Sequence, residues 1–151
     1  MSDETVNNTL KAMFEAREYS CPPTVVHAKK VSVEYARKLL KQTNPNGLLV
    51  VYGEGISTPA RKEMDSTEGV ELFKRDDLLF NVTEHEFVPP HRLLHAKEVG
   101  QLLARHCTTL EQLPKILRTD PVNRFYGGKP GDVYEIQRNN EEGIAYRVVV
   151  K

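Results

Sequence analysis

The chain contains five histidines and two cysteines, the side chains that most often bind zinc in proteins. His91 and His95 are four residues apart, a spacing that would place both imidazoles on one face of a helix. Pro89 and Pro90 immediately precede this pair, and no HExxH or CxxC motif supplies further ligands. We therefore predict surface or hydrogen-bonding histidines, with no metal and no other cofactor.

Two further patterns could serve nucleophilic or phosphate chemistry. Cys107 follows His106, but adjacent residues on a helix point about 100° apart and do not form a nucleophile–base pair. The glycine-rich run at 127–131 contains Lys129, yet Pro130 stands where a phosphate-binding loop has Ser or Thr. These patterns favour a partly buried cysteine near a helix end and a strand-to-strand turn, and we predict no catalytic residue.

Basic and aromatic residues are interspersed in the second half of the chain. Such a mixture binds single-stranded nucleic acid in some proteins, while Arg and Tyr also dominate protein–protein hot spots. Acidic residues dilute the positive charge of this segment, so both interpretations stay open at this point. The group consists of Arg118, Arg124, Lys129 and Arg138 with Phe125 and Tyr126.

The overall charge argues against a protein that binds mainly by neutralising phosphates. The 151 residues carry 21 basic and 21 acidic side chains, balanced in each half, and 39% are hydrophobic. The start of the chain does not resemble a signal peptide, and the longest apolar run, 48–52, is far shorter than a membrane span of about 20 residues. With only two cysteines, we expect a soluble, reduced, intracellular protein.

Hydrophobic periodicity and turn signals predict the elements that position these residues. We expect an α/β arrangement before about residue 83 and a small α+β unit after it. Residues 1–8 are expected to be frayed. Helices are predicted at 9–19, 33–41, 58–64 and 96–105, the first three with the caps Thr9, Ser32 and Thr58, and a further short helix is capped by Thr108. Strands are predicted at 24–27, 48–52, 70–73, 78–82, 133–138 and 144–150, with Gly53 and Gly55 ending the second; turns are predicted at 44–47, 120–121, 127–132 and 139–143.

The second half closely resembles the C-terminal assembly domain of the fifth subunit of eukaryotic RNA polymerases, a domain that also forms the archaeal counterpart of that subunit. The family pattern contains a histidine, Val-Pro-x-His, paired leucines, Leu-Pro-x-Ile and a long run from Asp-Pro-Val to Gly-Asp-Val. This chain matches it with His85, Val88-Pro89-Pro90-His91, Leu102-Leu103, residues 113–116 and the gapless run 120–133. The chain departs from the pattern at Phe125, usually tyrosine, at His95, usually a serine cap, and in the loop 139–143.

The first half is similar to the N-terminal jaw domain of the eukaryotic members, in shortened form. Residues 10–19 resemble its first helix, and residues 47–52 and 56–62 resemble its last strand and helix. The resemblance implies a shortened jaw-like α/β domain at 1–79 and, at 80–151, an α+β assembly domain with a mixed sheet and a terminal β-hairpin. A jaw domain this short would be consistent with a chain encoded by a large DNA virus that has its own polymerase or by a reduced eukaryotic genome.

The resemblance implies a non-catalytic structural subunit of a multisubunit DNA-directed RNA polymerase. Such a subunit docks on the largest subunit, supports assembly and places its jaw near downstream DNA, in the nucleus or, if virally encoded, in a cytoplasmic viral factory or virion. We expect no small-molecule substrate and no membrane. The residues assigned to partner binding are His85, Pro89, His91, Asp120, Pro121, Arg124, Tyr126, Gly127, Gly131 and Asp132.

Two alternatives belong to other classes. A free-standing nucleic-acid-binding or transcription-regulatory protein could reuse the same domain, but it would need a basic face. A degenerate nuclease in the first half would need carboxylates and a lysine around a metal, for which the nearby set is Glu54, Lys62, Glu63 and Asp65.

Overall fold

The computed structural model describes residues 2–19, 21–42, 46–138 and 143–151. Its contacts divide the chain into two units, residues 1–80 and 81–151. Within the described residues, no helix combines the length and the apolar character needed to cross a membrane.

The first unit is a three-stranded parallel sheet with the order β1-β2-β3. Strand β2 is central, and its first five residues are all buried, as the apolar run 48–52 predicts. The elements are α1 (Ser2–Ala16), β1 (Thr24–Val31), α2 (Val33–Lys41), β2 (Leu48–Ile56), α3 (Thr58–Asp65), β3 (Val70–Lys74) and a 3-10 helix (Arg75–Leu78).

Different helices pack on the two faces of this sheet. Leu48 and Val50 of β2 pack with Ala36 of α2 and Ala60 of α3 in one hydrophobic core. Because side chains alternate along a strand, Leu49 faces the other way. Its register partner on β3 is Glu71, which binds Arg17 just after α1, so the end of α1 lies on that second face.

Helix α1 begins earlier than predicted. Residues 1–8 were expected to be frayed, but the helix begins at Ser2, because Val6 extends the buried stripe formed by Leu10 and Met13. Thr9 is therefore not a cap: it is buried within the helix, and its hydroxyl donates to the Thr5 carbonyl.

Three other predictions for the first unit need correction. Strands β1 and β2 continue to Val31 and Ile56, beyond their predicted ends. Their pairing register shifts between Ala28 and Lys30, and this irregularity accommodates Gly53 and Gly55, which were expected to end β2. The N-cap of α3 is Ser57 rather than Thr58. The strand predicted at 78–82 is absent from the described chain, where 3-10 helices with buried Leu78 take its place. The Ser32 cap of α2 is confirmed, whereas the first half of the turn predicted at 44–47 lies outside the described residues.

The second unit is a four-stranded mixed sheet with the order β4-β6-β7-β5. Strands β6 and β7 form the predicted antiparallel hairpin, β4 joins β6 antiparallel, and β5 joins β7 in parallel. This confirms the predicted fold class; the hairpin loop 139–142 lies outside the described residues. The elements are a 3-10 helix (Val82–Glu84), β4 (His91–Leu93), α4 (Ala96–His106), a 3-10 helix (Leu110–Gln112), β5 (Lys115–Leu117), α5 (Pro121–Tyr126), β6 (Val133–Gln137) and β7 (Ile144–Val150).

The two faces of the second sheet form separate cores. Leu102 of α4 packs with Val133 and Val148 on one face. Tyr134 and Val149 occupy the opposite face, where Tyr126 of α5 packs against them. Three short elements were not predicted from the sequence, β4, β5 and α5, and the cap predicted at Thr108 is instead Thr109, whose N–H donates to Gln112.

Substitution of Glu71 tests the one ion pair of the first unit, among the described residues, that has a buried arginine. The Arg17 side chain is 3% exposed and makes two bonds to Glu71, of 2.7 and 2.9 Å. Although burial opposes the charged form, the hydrogen bond and charge of Glu71 raise the pKa of Arg17. We expect Glu71→Gln to lower the free energy of unfolding by about 1–3 kcal/mol, because it weakens the charge compensation of a buried guanidinium.

Urea denaturation of the full chain measures this effect. The matched control is Glu63→Gln, which removes the exposed pair with Arg37 and should leave the midpoint unchanged. Equal effects of the two substitutions would contradict the structural importance of Arg17.

Candidate partner-binding surface

The segment Asp120-Pro121, predicted as a turn, begins a short helix. The Asp120 carboxylate accepts a hydrogen bond of 2.9 Å from the Val122 N–H, and Pro121 occupies the first turn, where a missing N–H costs nothing. Gly127 ends the helix with a φ of 73°, in the left-handed region that glycine adopts without strain. A cap followed by proline also begins α3, so the same signal could have revealed α5.

A buried polar network fixes this helix to the sheet. The Asn123 side chain is 1% exposed, and its amide donates to the carbonyls of Arg118 and Gly128 at 3.0 and 3.2 Å. The fully buried Tyr134 hydroxyl donates to Asn123 Oδ1 at 2.9 Å and accepts from the Gly128 N–H at 3.2 Å. A Cβ on Gly128 would collide with both of these side-chain oxygens, so only glycine fits this position.

The turn at 127–132 is held by both side-chain and main-chain bonds. Asp132 Oδ2 accepts from the Lys129 N–H at 2.7 Å, and its main-chain carbonyl accepts from the Val149 N–H at 2.8 Å. Gly131, with a φ of 97°, donates its N–H to the Val149 carbonyl at 2.9 Å. The predicted turn is confirmed, but it joins a helix to a strand rather than two strands.

His91 lies at the centre of an aromatic cluster. Its Nδ1 is 2.7 Å from the Pro89 carbonyl oxygen, its ring stacks on Tyr126 with centroids 6.2 Å apart, and its edge meets Tyr134 at 5.9 Å. Burial lowers the pKa of His91, and the nearby charge of Arg147 adds to this effect, whereas the Pro89 carbonyl opposes it. Burial likewise raises the pKa of Tyr126, against a hydrogen bond from the main chain of His91. Both rings are therefore uncharged near neutral pH.

A surface groove of about 690 Å³ lies beside this cluster. Its walls bring together Pro89, His91 and Asp120, three of the residues assigned to partner binding. The remaining lining residues come from several segments of the chain, and of these only Arg138 was considered for binding from the sequence. They are Glu86, Phe87, Val88, Ile116, Val122, Ile136, Arg138 and Arg147.

The other assigned residues lie around the groove or on the segment that leads to it. Tyr126 stacks on His91, which lines the groove, and Arg124 is half-buried on α5. The exposed His85 precedes the groove, with its Nδ1 accepting from the Phe87 N–H at 3.2 Å. Pro121, Gly127, Gly131 and Asp132 form the cap and the turn described above.

The structure separates several residues whose spacing in the sequence suggested a shared role. His91 lies in β4 and His95 caps α4, so they share no helix face, and no cluster of potential metal ligands occurs in the described ranges. Cys107 is exposed, not partly buried, because it ends α4 in a left-handed conformation. Phe125 is 6% exposed, so its ring cannot stack on a nucleic-acid base.

Two of the three carboxylates considered for a nuclease, Glu54 and Glu63, make surface ion pairs instead. Glu54 lies 3.5 Å from Lys30, with both side chains more than half exposed. Glu63 binds Arg37 at 2.6 Å across α2 and α3, and this pairing lowers the pKa of Glu63.

The second unit therefore has a rigid surface with a partly apolar groove, features typical of protein-binding domains.

The family model described as RNA polymerase Rpb5, C-terminal domain, matches residues 80–149. The rpabc1 subunit of DNA-directed RNA polymerases I, II and III from Dictyostelium discoideum is 33% identical over 132 residues, which cover 80% of this chain and 67% of that subunit.

RNA polymerase subunits from other eukaryotes are similar to this chain at about the same level of identity. The RPABC1 subunit of polymerases I, II and III from Caenorhabditis elegans is 35% identical over 117 residues, covering 74% of this chain and 56% of the relative. Subunit 5B of polymerases IV and V from Arabidopsis thaliana is 34% identical over 118 residues, covering 76% and 54%. The chain thus spans little more than half the length of these two relatives. It belongs to the RNA polymerase Rpb5 family, which confirms the resemblance drawn from the sequence.

Removal of one hydroxyl tests the buried network. We expect Tyr134→Phe to lower the free energy of unfolding by about 1–3 kcal/mol, because it leaves Asn123 Oδ1 and the Gly128 N–H without their buried partner. Tyr146→Phe is the matched control, since the Tyr146 hydroxyl makes no hydrogen bond to any described residue. Urea denaturation compares the two variants, and equal stability of both would show that the network contributes nothing.

The depressed pKa of His91 predicts a pH dependence of stability. Between the folded pKa and the unfolded value of about 6.5, the unfolded chain binds more protons at this residue. The stability is therefore complete above the unfolded pKa and falls as the pH drops from there towards the folded pKa. Urea denaturation at about pH 8 and about pH 5.5 should show a smaller decrease for His91→Asn than for the wild type. An identical decrease in both proteins would contradict the prediction.

Proposed function

We propose that this chain is a non-catalytic subunit of a multisubunit DNA-directed RNA polymerase and that its second unit docks on the largest subunit. Family membership supports this proposal, because the names of the relatives describe subunits shared by several RNA polymerases. The catalytic chemistry would then belong to other subunits. The chain would work in the nucleus or, if a virus encodes it, in a viral factory.

The observation that carries the docking role is the fixed geometry of the family's most specific motif. Residues 120–133 contain the helix cap, the buried Asn123 and the turn that Asp132 closes. A surface whose backbone is already ordered loses little entropy on association. Arg124 and Tyr126, both half-buried at the edge of this motif, are residue types that anchor protein interfaces.

The first unit supports a narrower proposal, that it serves as a shortened jaw near downstream DNA. Its sheet retains a central strand covered on both faces, as an independent core requires. Cations on α2 and α3 lie at the surface, although acidic neighbours such as Glu63 offset part of their charge. We therefore propose proximity to DNA rather than tight binding by the isolated chain.

Affinity purification of the tagged full chain from its native cells or virions tests the function. The wild type should recover the two largest polymerase subunits in stoichiometric amounts. Arg124→Ala combined with Tyr126→Ala should reduce this recovery about tenfold or more, because it removes two predicted anchors. Since Tyr126 packs on three other rings, its alanine variant also loses core contacts.

Two controls separate docking from folding. Arg124→Ala alone, with an unchanged thermal midpoint, should still reduce recovery, whereas Arg105→Ala on the exposed side of α4 should not. Unchanged recovery of the double variant would overturn the assignment of Arg124 and Tyr126. Recovery of nucleic acid alone, with steep salt dependence, would favour the free-standing nucleic-acid-binding alternative.

A further inference from the structure

The groove lies on the face of the second sheet that α4 does not cover. Ile116, Ile136 and Val149 are each at most 4% exposed and form the apolar core on this side. Helix α5 contributes Tyr126 to this core, and Val88 and Pro89 line the groove from the preceding segment. Phe87 also lines the groove and is 84% exposed. A phenylalanine this exposed beside an apolar floor is typical of an interaction site.

Arg147 and Arg138 both line the groove, and Arg147 gives it a positive charge that is not paired with either of the groove's carboxylates. It occupies the middle of β7 between Ala145 and Val149, opposite the buried Tyr134 in the register. It is exposed, and it makes no ion pair with any residue in the described ranges.

Arg92, whose side chain points to the other side of the same sheet, differs from Arg147 because it has acidic partners. Its guanidinium binds Glu98 at 2.8 Å and Glu135 at 3.2 Å, and both contacts raise its pKa. Arg147 has the same strand setting without either carboxylate. An arginine on an apolar strand face favours a planar carboxylate as its partner.

The acidic residues of the groove do not fill this role. Asp120 already accepts the capping hydrogen bond from the Val122 N–H, and it lies close enough to His91 to influence that ring. Glu86 is exposed at the rim next to Phe87 and makes no ion pair in the part of the chain that the structure describes. Both carboxylates repel anions, and this repulsion grows with every added negative charge, so a polyanion such as nucleic acid is disfavoured more strongly than a single carboxylate that pairs with Arg147.

We infer that the groove binds an extended segment of a partner protein in which an acidic side chain pairs with Arg147 and a neighbouring aliphatic side chain packs against Phe87 and Val122. This inference rests on the proposed docking function and specifies the chemistry of the docked segment. The volume of about 690 Å³ is sufficient for several side chains of an extended chain.

The test uses the full chain and an array of overlapping peptides that covers the largest polymerase subunit of the same genome. The wild type should bind peptides that carry Asp or Glu within two residues of Leu, Ile or Val. Replacement of that acid by Asn or Gln should weaken binding about tenfold or more. Arg147→Glu should lose these peptides and bind versions in which Lys replaces the acid.

Three controls make the outcome decisive. Arg105→Glu, an equal charge reversal on α4, should bind the same peptides as the wild type. Phe87→Ala, which changes only an exposed wall, should weaken every captured peptide without lowering the thermal midpoint. A labelled single-stranded oligonucleotide tests nucleic acid as the occupant, and Arg147-dependent binding of it would overturn the inference.

The inference fails if the bound peptides lack the acidic–aliphatic pair, if no peptide binds, or if Arg147→Glu binds the same set as the wild type. These results are separable from a failure of the proposed function. If affinity purification recovers the large subunits while the array fails, docking stands and the groove is not its site. If purification fails as well, the function itself is wrong.

Discussion

The buried hydrogen bond between Tyr134 and Asn123 is the interaction on which the second unit depends. Tyr134 belongs to a central strand and Asn123 to a short helix, so this contact ties the helix to the sheet. Because both groups are removed from water, each would lose a hydrogen bond with no replacement if the helix shifted. The position of Gly128 follows directly, since its N–H and carbonyl complete the same network.

The consequences of this network extend to the surface. With α5 in this position, Tyr126 stacks on His91, and the Asp120 cap lies at the groove beside it. The turn that follows α5 then returns the chain to β6 through the Asp132 bonds. We expect this buried polar network to select one arrangement of the external face, because a shifted helix would leave buried groups without hydrogen-bond partners. The first unit has its own example in the bond of Arg17 to Glu71.

Elements with long, regular patterns could be predicted from the sequence. The central β2, the Ser32 cap of α2, helix α4 and the terminal hairpin all have strong local signals, and the structure contains each of them. The resemblance to the polymerase family added the fold class of the second unit.

The missed elements have physical reasons. Strands β4 and β5 are three residues long, and tertiary pairing rather than local propensity creates them. The stretch 78–82 is apolar enough for a strand, but Asn81 accepts a hydrogen bond from the Thr83 N–H and turns the chain instead. The groove combines residues from separate segments of the chain, and the absence of an ion pair at Arg147 among the described residues is visible only in three dimensions.

Hydrogen–deuterium exchange of the full chain, free and within the purified polymerase, tests the central claim most directly. Docking through the fixed face predicts that amides at 86–91 and 118–132 gain protection in the complex, while those on the exposed side of α4 exchange as in the free chain. Protection confined to α4 or to the first unit, with no change at 86–91 and 118–132, would contradict the account.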